Sequence, residues 1–200
     1  MVITAFVLKY RLPDNNTMID KSTGPLQDAQ QAISTVRKDA KKWGVQKNKI
    51  GIMGFSAGGH LAATVSTHFN YKSNPENSDT VSLRPDFSIL IYPVISFDSS
   101  ITHQGSCNNL LGANPTAEKK VFFSNEKQIN TKTPPAFLVH AGNDEAVPVA
   151  NSIRYYEECI KNKVPAEMHL YPKGGHGFSM KNPTTNDKWM DRLKNWIDRL

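Results

Sequence analysis

Cysteine is scarce in this sequence, which has only Cys107 and Cys159 in 200 residues. Two cysteines make no disulfide framework, and the sequence leaves open whether they are free or paired. No apolar run approaches the roughly 20 residues that a membrane-spanning helix needs, so we expect no membrane contact. No group of histidines, cysteines and carboxylates has metal-ligand spacing. We therefore predict no metal ion and no other cofactor.

Strong charge clustering is also missing. The 24 basic and 18 acidic residues give a net charge of +6, but the excess is scattered. No arginine-rich or aromatic-interleaved segment is present, so we predict no nucleic-acid partner. The apolar start of the chain runs into Lys9 and Arg11 without a small-residue cleavage site, which argues against a signal peptide. The location stays open between the cytoplasm and, if an upstream segment is missing, a secreted or periplasmic site.

Strand-like and helix-like segments alternate along the chain, which is typical of a parallel sheet covered by helices. The length suits one domain over residues 1–200. We predict the α/β class, as a three-layer α/β/α sandwich with a mostly parallel sheet. The predicted strands are Val2 to Leu8, Lys49 to Phe55, Phe87 to Ile95, Ala136 to His140 and Glu167 to Tyr171. The predicted helices are Leu26 to Trp43, Ala57 to Phe69, Val149 to Asn162 and Lys188 to Leu200.

Two segments lack clear periodicity. Tyr71 to Arg84 is polar and turn-rich and is interpreted as an exposed loop. Ser96 to Thr133 is long, with one short helix expected over Thr116 to Phe123. Because so long a loop in a compact domain is often functional, we predict that residues 96–133 form a substrate-side loop or lid.

The residues Gly54-Phe55-Ser56-Ala57-Gly58 match the pattern G-x-S-x-G. The motif follows an apolar strand and precedes an apolar helix, the setting in which such a serine is presented on a sharp turn. The hydroxyl then lies beside a helix N-terminus, whose dipole favours developing negative charge. We predict Ser56 as a nucleophile; the alternative is a serine that merely caps the helix.

A serine hydroxyl needs a base, and the base needs an orienting carboxylate. Asp144 and His176 follow the fourth and fifth predicted strands, at the sheet edge where catalytic groups collect. We predict His176 as the general base and Asp144 as its partner, with Glu145 as the alternative carboxylate. Of the other histidines, His60 is expected to be packed or solvated, and His140 to bond a neighbouring loop.

Three segments together resemble a known group: residues 54–62, Asp144-Glu145-Ala146-Val147-Pro148, and residues 171–178, with Tyr10-Arg11-Leu12-Pro13 upstream. The chain resembles bacterial acetyl-xylan and feruloyl esterases, which are xylanase-like and dienelactone-hydrolase-like α/β-hydrolases. The resemblance implies hydrolysis of short acyl esters, typically acetyl, on xylan or other sugars. The implied substrate is a small ester or an acetylated saccharide.

The resemblance also exposes a departure. That family carries a His-Gly-Gly-Gly loop upstream of the Tyr-Arg-Leu-Pro segment, and it donates an oxyanion N–H; this sequence begins after that point. We therefore expect an N-terminally shortened α/β-hydrolase fold in which Ala57 N–H remains as an oxyanion donor and the second donor is unassigned. Substrate contacts are expected near Tyr10 and Arg11. Since an uncovered apolar edge strand invites pairing, Val2 to Leu8 predicts a homo-oligomer.

Two other functions fit part of these observations. A peptidase of the same fold would use the same three side chains. A weakly active or catalytically silent carbohydrate-binding homologue would fit the loss of an oxyanion donor, which costs roughly 10²–10³-fold in turnover where it has been measured.

Overall fold

A four-stranded parallel sheet lies at the centre of the computed structural model, which describes residues 3–74 and 81–200. Its strands are β1 (Gly51–Phe55), β2 (Phe87–Ile91), β3 (Ala136–Ala141) and β4 (Ala166–Tyr171), adjacent in that order. Neighbouring strands are parallel, so their carboxyl ends share one edge of the sheet. Loops from β1, β3 and β4 can therefore meet there.

Helices connect the strands and cover the sheet. They are α1 (Gly24–Lys38), α2 (Ala40–Trp43), α3 (Ala57–Thr67), α4 (Gln104–Leu111), α5 (Ala117–Phe122), α6 (Ala150–Lys161) and α7 (Trp189–Ile197), with a 3₁₀ helix at Asn125–Gln128. The single helix predicted over Leu26 to Trp43 is interrupted at Asp39. It ends, as predicted, at Gly44, whose φ of 65° is the left-handed conformation that glycine adopts at helix ends.

Alternation along the strands separates the two faces of the sheet. Ile89 and Ile91 face one side and pack in a cluster with Trp189 and Trp196 of α7. Leu90, between them, faces the other side and packs in a cluster with residues of α3 and α6. Side chains along a strand point to opposite faces with a period of two, so β2 contributes to both cores.

The resulting three layers are α7, the sheet, and α3 with α6, and α1 packs against α3 and Ile52 of β1. The predicted α/β/α sandwich with a parallel sheet is therefore confirmed. In the part of the chain that the structure describes, no helix is long and apolar enough to cross a membrane.

Strand β2 is shorter than predicted. The expected strand runs to Ile95, but β2 ends at Ile91. Tyr92 has a φ of 36°, and Pro93 lacks the N–H that a strand would donate. The apolar run continues past this point because Val94 and Ile95 are buried in the loop that follows.

Residues 96–133 contain more helix than predicted. The helix expected over Thr116 to Phe123 corresponds to α5, but α4 and the 3₁₀ helix were not predicted. Phe97, Cys107 and Phe123 form a buried cluster in this segment with Val94 and Val147. The substrate-side role of the segment stays a prediction.

The strand predicted over Val2 to Leu8 is wrong for residues 3–8, which form no regular structure. Their apolar side chains are exposed, and Val7 is 98% exposed. A strand exists only when another strand accepts its hydrogen bonds, and these residues have no such neighbour in the described chain. Val2 itself, and residues 75–80 of the predicted exposed loop, lie outside the described residues.

Candidate active site

The turn between β1 and α3 presents Ser56. Its φ of 53° and ψ of −119° place a non-glycine residue in a strained conformation, and such strain is concentrated at functional sites. The turn is closed by backbone bonds: Ser56 N–H donates to Ile91 O at 3.0 Å, and Val94 N–H donates to Ser56 O at 3.2 Å. A Cβ on Gly54 would lie 2.0 Å from Gly58 O, so the strand and the helix approach closely only because residue 54 is glycine.

The Ser56 hydroxyl contacts His176. Ser56 Oγ lies 2.8 Å from His176 Nε2, across 120 residues of sequence. His176 stands on the loop after β4, where Gly175 and Gly177 have φ values of 64° and 83°. These left-handed conformations cost glycine little, and they let the loop turn the imidazole towards the sheet edge.

The other ring nitrogen of His176 contacts Asp144. His176 Nδ1 lies 2.7 Å from Asp144 Oδ2, and the Asp144 side chain is fully buried. The second carboxylate oxygen, Oδ1, accepts N–H bonds from Ala146 at 3.0 Å and Val147 at 2.9 Å. These bonds fix the carboxylate from behind. Of the two carboxylates considered, Asp144 is the one in contact with His176, whereas Glu145 is exposed.

Sequence reasoning missed two residues that hold the His176 loop. Asn143 Oδ1 accepts the Gly175 N–H at 2.9 Å, which ties the loop after β3 to the loop after β4. The Tyr92 ring packs edge-on against the His176 ring, with centroids 5.0 Å apart, and its hydroxyl accepts the Ser179 N–H at 3.0 Å. The sequence signal for Tyr92 was the following proline, which marks the end of β2.

His140 was assigned only a loop contact from the sequence. Its Nε2 lies 3.0 Å from Val147 O, which fits that expectation, but also 3.2 Å from Asp144 Oδ2. His60 is packed rather than solvated: it is buried, and its ring stacks on Phe97 with centroids 4.7 Å apart.

The remaining predicted contacts lie near the start of α3 or on α1. Ala57 opens α3 and is exposed; the first N–H groups of a helix have no acceptor within it. The Tyr10 hydroxyl reaches the same turn, since it lies 3.8 Å from the place of a Cβ on Gly58. The Arg11 guanidinium instead pairs with Asp28 of α1 at 2.8 Å. Substrate roles for Tyr10 and Arg11 stay predictions.

Neither cysteine offers a rival nucleophile. Both are free and buried. Burial raises the pKa of Cys159 to about 12 and also raises the pKa of Cys107, which disfavours the reactive thiolate at neutral pH. Among the described residues no cluster of three or more metal-ligating side chains occurs.

Comparisons with known proteins place this chain in a family. The BD-FAE family profile matches residues 4–159, a range that contains Ser56 and Asp144. The chain is 39% identical over 189 residues to endo-1,4-beta-xylanase B of Butyrivibrio fibrisolvens, covering 94% of this chain and 29% of that protein. It is 37% identical over 203 residues to acetylxylan esterase of Xylanibacter ruminicola, covering 99% of this chain and 39% of that protein. The chain thus spans less than two-fifths of these curated relatives.

A solved structure gives a fuller match. The acetyl ester-xyloside bifunctional hydrolase from Caldicellulosiruptor lactoaceticus superposes with a TM-score of 0.85 at 39% identity, covering 96% of this chain and 69% of that one. The profile match and this structural relative agree with the resemblance that the motifs indicated. The chain belongs to the BD-FAE family and has an α/β-hydrolase fold.

Proposed function

We propose that this protein is a serine esterase that hydrolyses short-chain acyl esters, chiefly acetyl, on xylan or other sugars. The observation that carries the proposal is the continuous path from Ser56 Oγ to His176 Nε2 at 2.8 Å and from His176 Nδ1 to Asp144 Oδ2 at 2.7 Å. The printed names of two relatives, an acetylxylan esterase and an acetyl ester-xyloside hydrolase, support the choice of substrate class.

In the proposed mechanism, acylation begins at Ser56. Ser56 Oγ attacks the ester carbonyl carbon while His176 Nε2 takes the hydroxyl proton. Asp144 accepts the His176 Nδ1–H, which keeps the proton on Nδ1 and leaves Nε2 free to act as the base. It also stabilises the imidazolium that forms. The Ala57 N–H at the start of α3 donates to the oxyanion in this proposal, and the helix dipole adds to that stabilisation.

Acylation ends when the alcohol leaves. His176 returns its proton to the leaving alcohol oxygen, so the alcohol departs and the acyl group stays on Ser56 Oγ as an ester. In deacylation a water molecule loses a proton to His176 and attacks this ester, and His176 passes that proton to Ser56 Oγ as the bond to the acyl group breaks and the carboxylic acid leaves. The His176 side chain is 26% exposed, so water can reach it without a large rearrangement.

The test is acetate release from acetylated xylo-oligosaccharides, with p-nitrophenyl acetate as a second substrate. We expect the wild-type protein to release acetate and the variant Ser56→Ala to lose about 10⁶-fold in kcat, the size of loss found for such nucleophiles. Ser66→Ala is the matched control, because Ser66 lies on the same helix and bonds only within it, to Ala62 O at 2.8 Å.

Three outcomes would contradict the proposal. Equal activity of wild type and Ser56→Ala would remove Ser56 from the mechanism. A native protein whose Ser56 never reacts with a fluorophosphonate would favour a silent binding homologue. Cleavage of an aminoacyl anilide in preference to both esters would favour a peptidase instead.

A further inference from the structure

His140 has no role in the proposed acylation and deacylation steps. It lies on β3, is fully buried, and stands between the Asp144 carboxylate and helix α6. Its Nδ1 is 2.8 Å from Ser152 Oγ on α6, and its Nε2 is 3.2 Å from Asp144 Oδ2 and 3.0 Å from Val147 O. Both ring nitrogens are thus hydrogen bonded in a buried site.

These partners determine where the proton lies. Asp144 Oδ2 and Val147 O can only accept, so Nε2 must carry a hydrogen. Burial lowers the pKa of His140, although the nearby Asp144 acts in the opposite direction, and the ring is therefore neutral at neutral pH. Nδ1 then has no hydrogen and accepts the hydroxyl hydrogen of Ser152. The ring is thus held in the tautomer whose single Nε2–H is shared between Asp144 Oδ2 and Val147 O.

Each oxygen of the Asp144 carboxylate consequently accepts two hydrogen bonds. Oδ1 accepts two backbone N–H bonds, and Oδ2 accepts from His176 Nδ1 and from His140 Nε2. Two histidines therefore share a single oxygen, one on the catalytic side and one on the buried side. The titratable groups facing this carboxylate in the described chain include His140, His176 and Tyr92.

We propose that His140 is a positioning residue that holds Asp144 Oδ2 against His176 and takes up part of its negative charge. The inference rests on the proposed catalytic role of Asp144 and His176. It predicts the direction in which the pH dependence of the reaction should move when the His140 donor is removed. Without the His140 donor, Oδ2 would concentrate its charge on His176 and would stabilise the imidazolium more strongly. The base would then stay protonated to higher pH, and a freer carboxylate would orient the ring less well.

The experiment measures kcat and KM against pH for p-nitrophenyl acetate in three variants. In His140→Leu, which removes the donor, we expect kcat to fall about tenfold or more, with KM nearly unchanged. We also expect the acidic limb of kcat/KM to move up by up to about one pH unit. His140→Gln places an amide N–H near the position of Nε2, so the limb should return to its wild-type place.

Ser152→Ala guards against a fold effect. It leaves the ring in place but removes the hydroxyl that anchors Nδ1, so it should give the same changes as His140→Leu in smaller size. His60→Leu is the matched control, because His60 is also buried and hydrogen bonded, at 2.9 Å to Phe123 O, but does not touch Asp144. It should lower stability without moving the acidic limb.

An acidic limb that stays in place or moves down in both His140→Leu and Ser152→Ala would overturn the inference. The proposed function is tested separately. If Ser56→Ala and Asp144→Asn abolish activity while the His140 variants behave as wild type, only the role of His140 fails. If Ser56→Ala keeps full activity, the proposed mechanism with Ser56, His176 and Asp144 fails.

Discussion

Two regions of this molecule are rich in apolar residues and have opposite fates. Strand β3 is buried at every position, and the loop that follows it presents Asp144. Residues 3–8 are as apolar in sequence but form no strand, and Val7 is almost fully exposed. The difference lies in neighbours: β3 pairs on both sides, with β2 and with β4. Apolar composition makes a strand only where another chain segment pairs with it.

Two aspartates show the same contrast between a buried and an exposed environment. Asp144 is buried, and four donors surround its two oxygens. Asp28 of α1 forms an ion pair with Arg11, whose side chain is 53% exposed. This pair ties the N-terminal stretch, residues 3–11, to α1. A buried, oriented carboxylate can direct a reaction, whereas exposed ion pairs contribute little even to stability.

The largest expected effect tests this contrast directly. Asp144→Asn should lower kcat by about 10⁴-fold, because an amide favours the wrong tautomer of the catalytic histidine. Asp28→Asn is the matched substitution in the other region, and it should change kcat by less than about twofold. Ester hydrolysis at pH 7 measures both. Comparable losses in the two variants would mean that the N-terminal stretch contributes to the site.

The next effect concerns packing at the nucleophile turn. In Gly54→Ala the new methyl group would lie 2.0 Å from Gly58 O, so strand and helix must separate. We expect the free energy of unfolding to fall by about 3 kcal/mol or more. Urea denaturation measures it.

Gly58→Ala supplies the control for this substitution. Its methyl group would meet only the Tyr10 hydroxyl, at 3.8 Å, which is ordinary contact. Its unfolding free energy should stay within about 1 kcal/mol of wild type. A large loss in Gly58→Ala with none in Gly54→Ala would show that the turn is not held by the close approach of Gly54 to Gly58 O.

The strand-turn-helix geometry around Ser56 could be predicted from sequence because its signals are local. Glycine spacing, a strand before and a helix after are all visible within about 15 residues of Ser56. The roles of His140 and Tyr92 could not be predicted, because they depend on contacts with side chains or loops whose positions only the folded chain defines. The strand at residues 3–8 was wrong for a related reason: an apolar run shows a preference, not a pairing partner.

A pH effect follows from the buried half of the molecule. Burial lowers the pKa of His60 from 6.5 to about 4. The unfolded chain therefore takes up this proton at a higher pH than the folded chain. The stabilisation is fully present above pH 6.5 and is lost as the pH falls towards 4, by about 3 kcal/mol in all. Urea denaturation between pH 7 and pH 4.5 should show this loss, and His60→Leu should show a shallower dependence. Equal slopes would contradict the assignment.

The smallest expected effect on fold stability lies in the N-terminal stretch. Because Val7 is 98% exposed, Val7→Asp should change the free energy of unfolding by less than about 0.5 kcal/mol. Urea denaturation measures this change.

The predicted homo-oligomer can be tested with the same substitution, Val7→Asp. In the described chain β1 pairs only with β2, so its outer edge and the apolar residues 3–8 offer a surface that a second copy could cover. Sedimentation at micromolar concentration should then show a dimer or larger oligomer for wild type and a smaller species for Val7→Asp, while Lys9→Asp, a charge change nearby, should leave the association largely intact. A monomeric wild-type protein would contradict the predicted homo-oligomer. The exposed apolar residues 3–8 would then not mediate self-association.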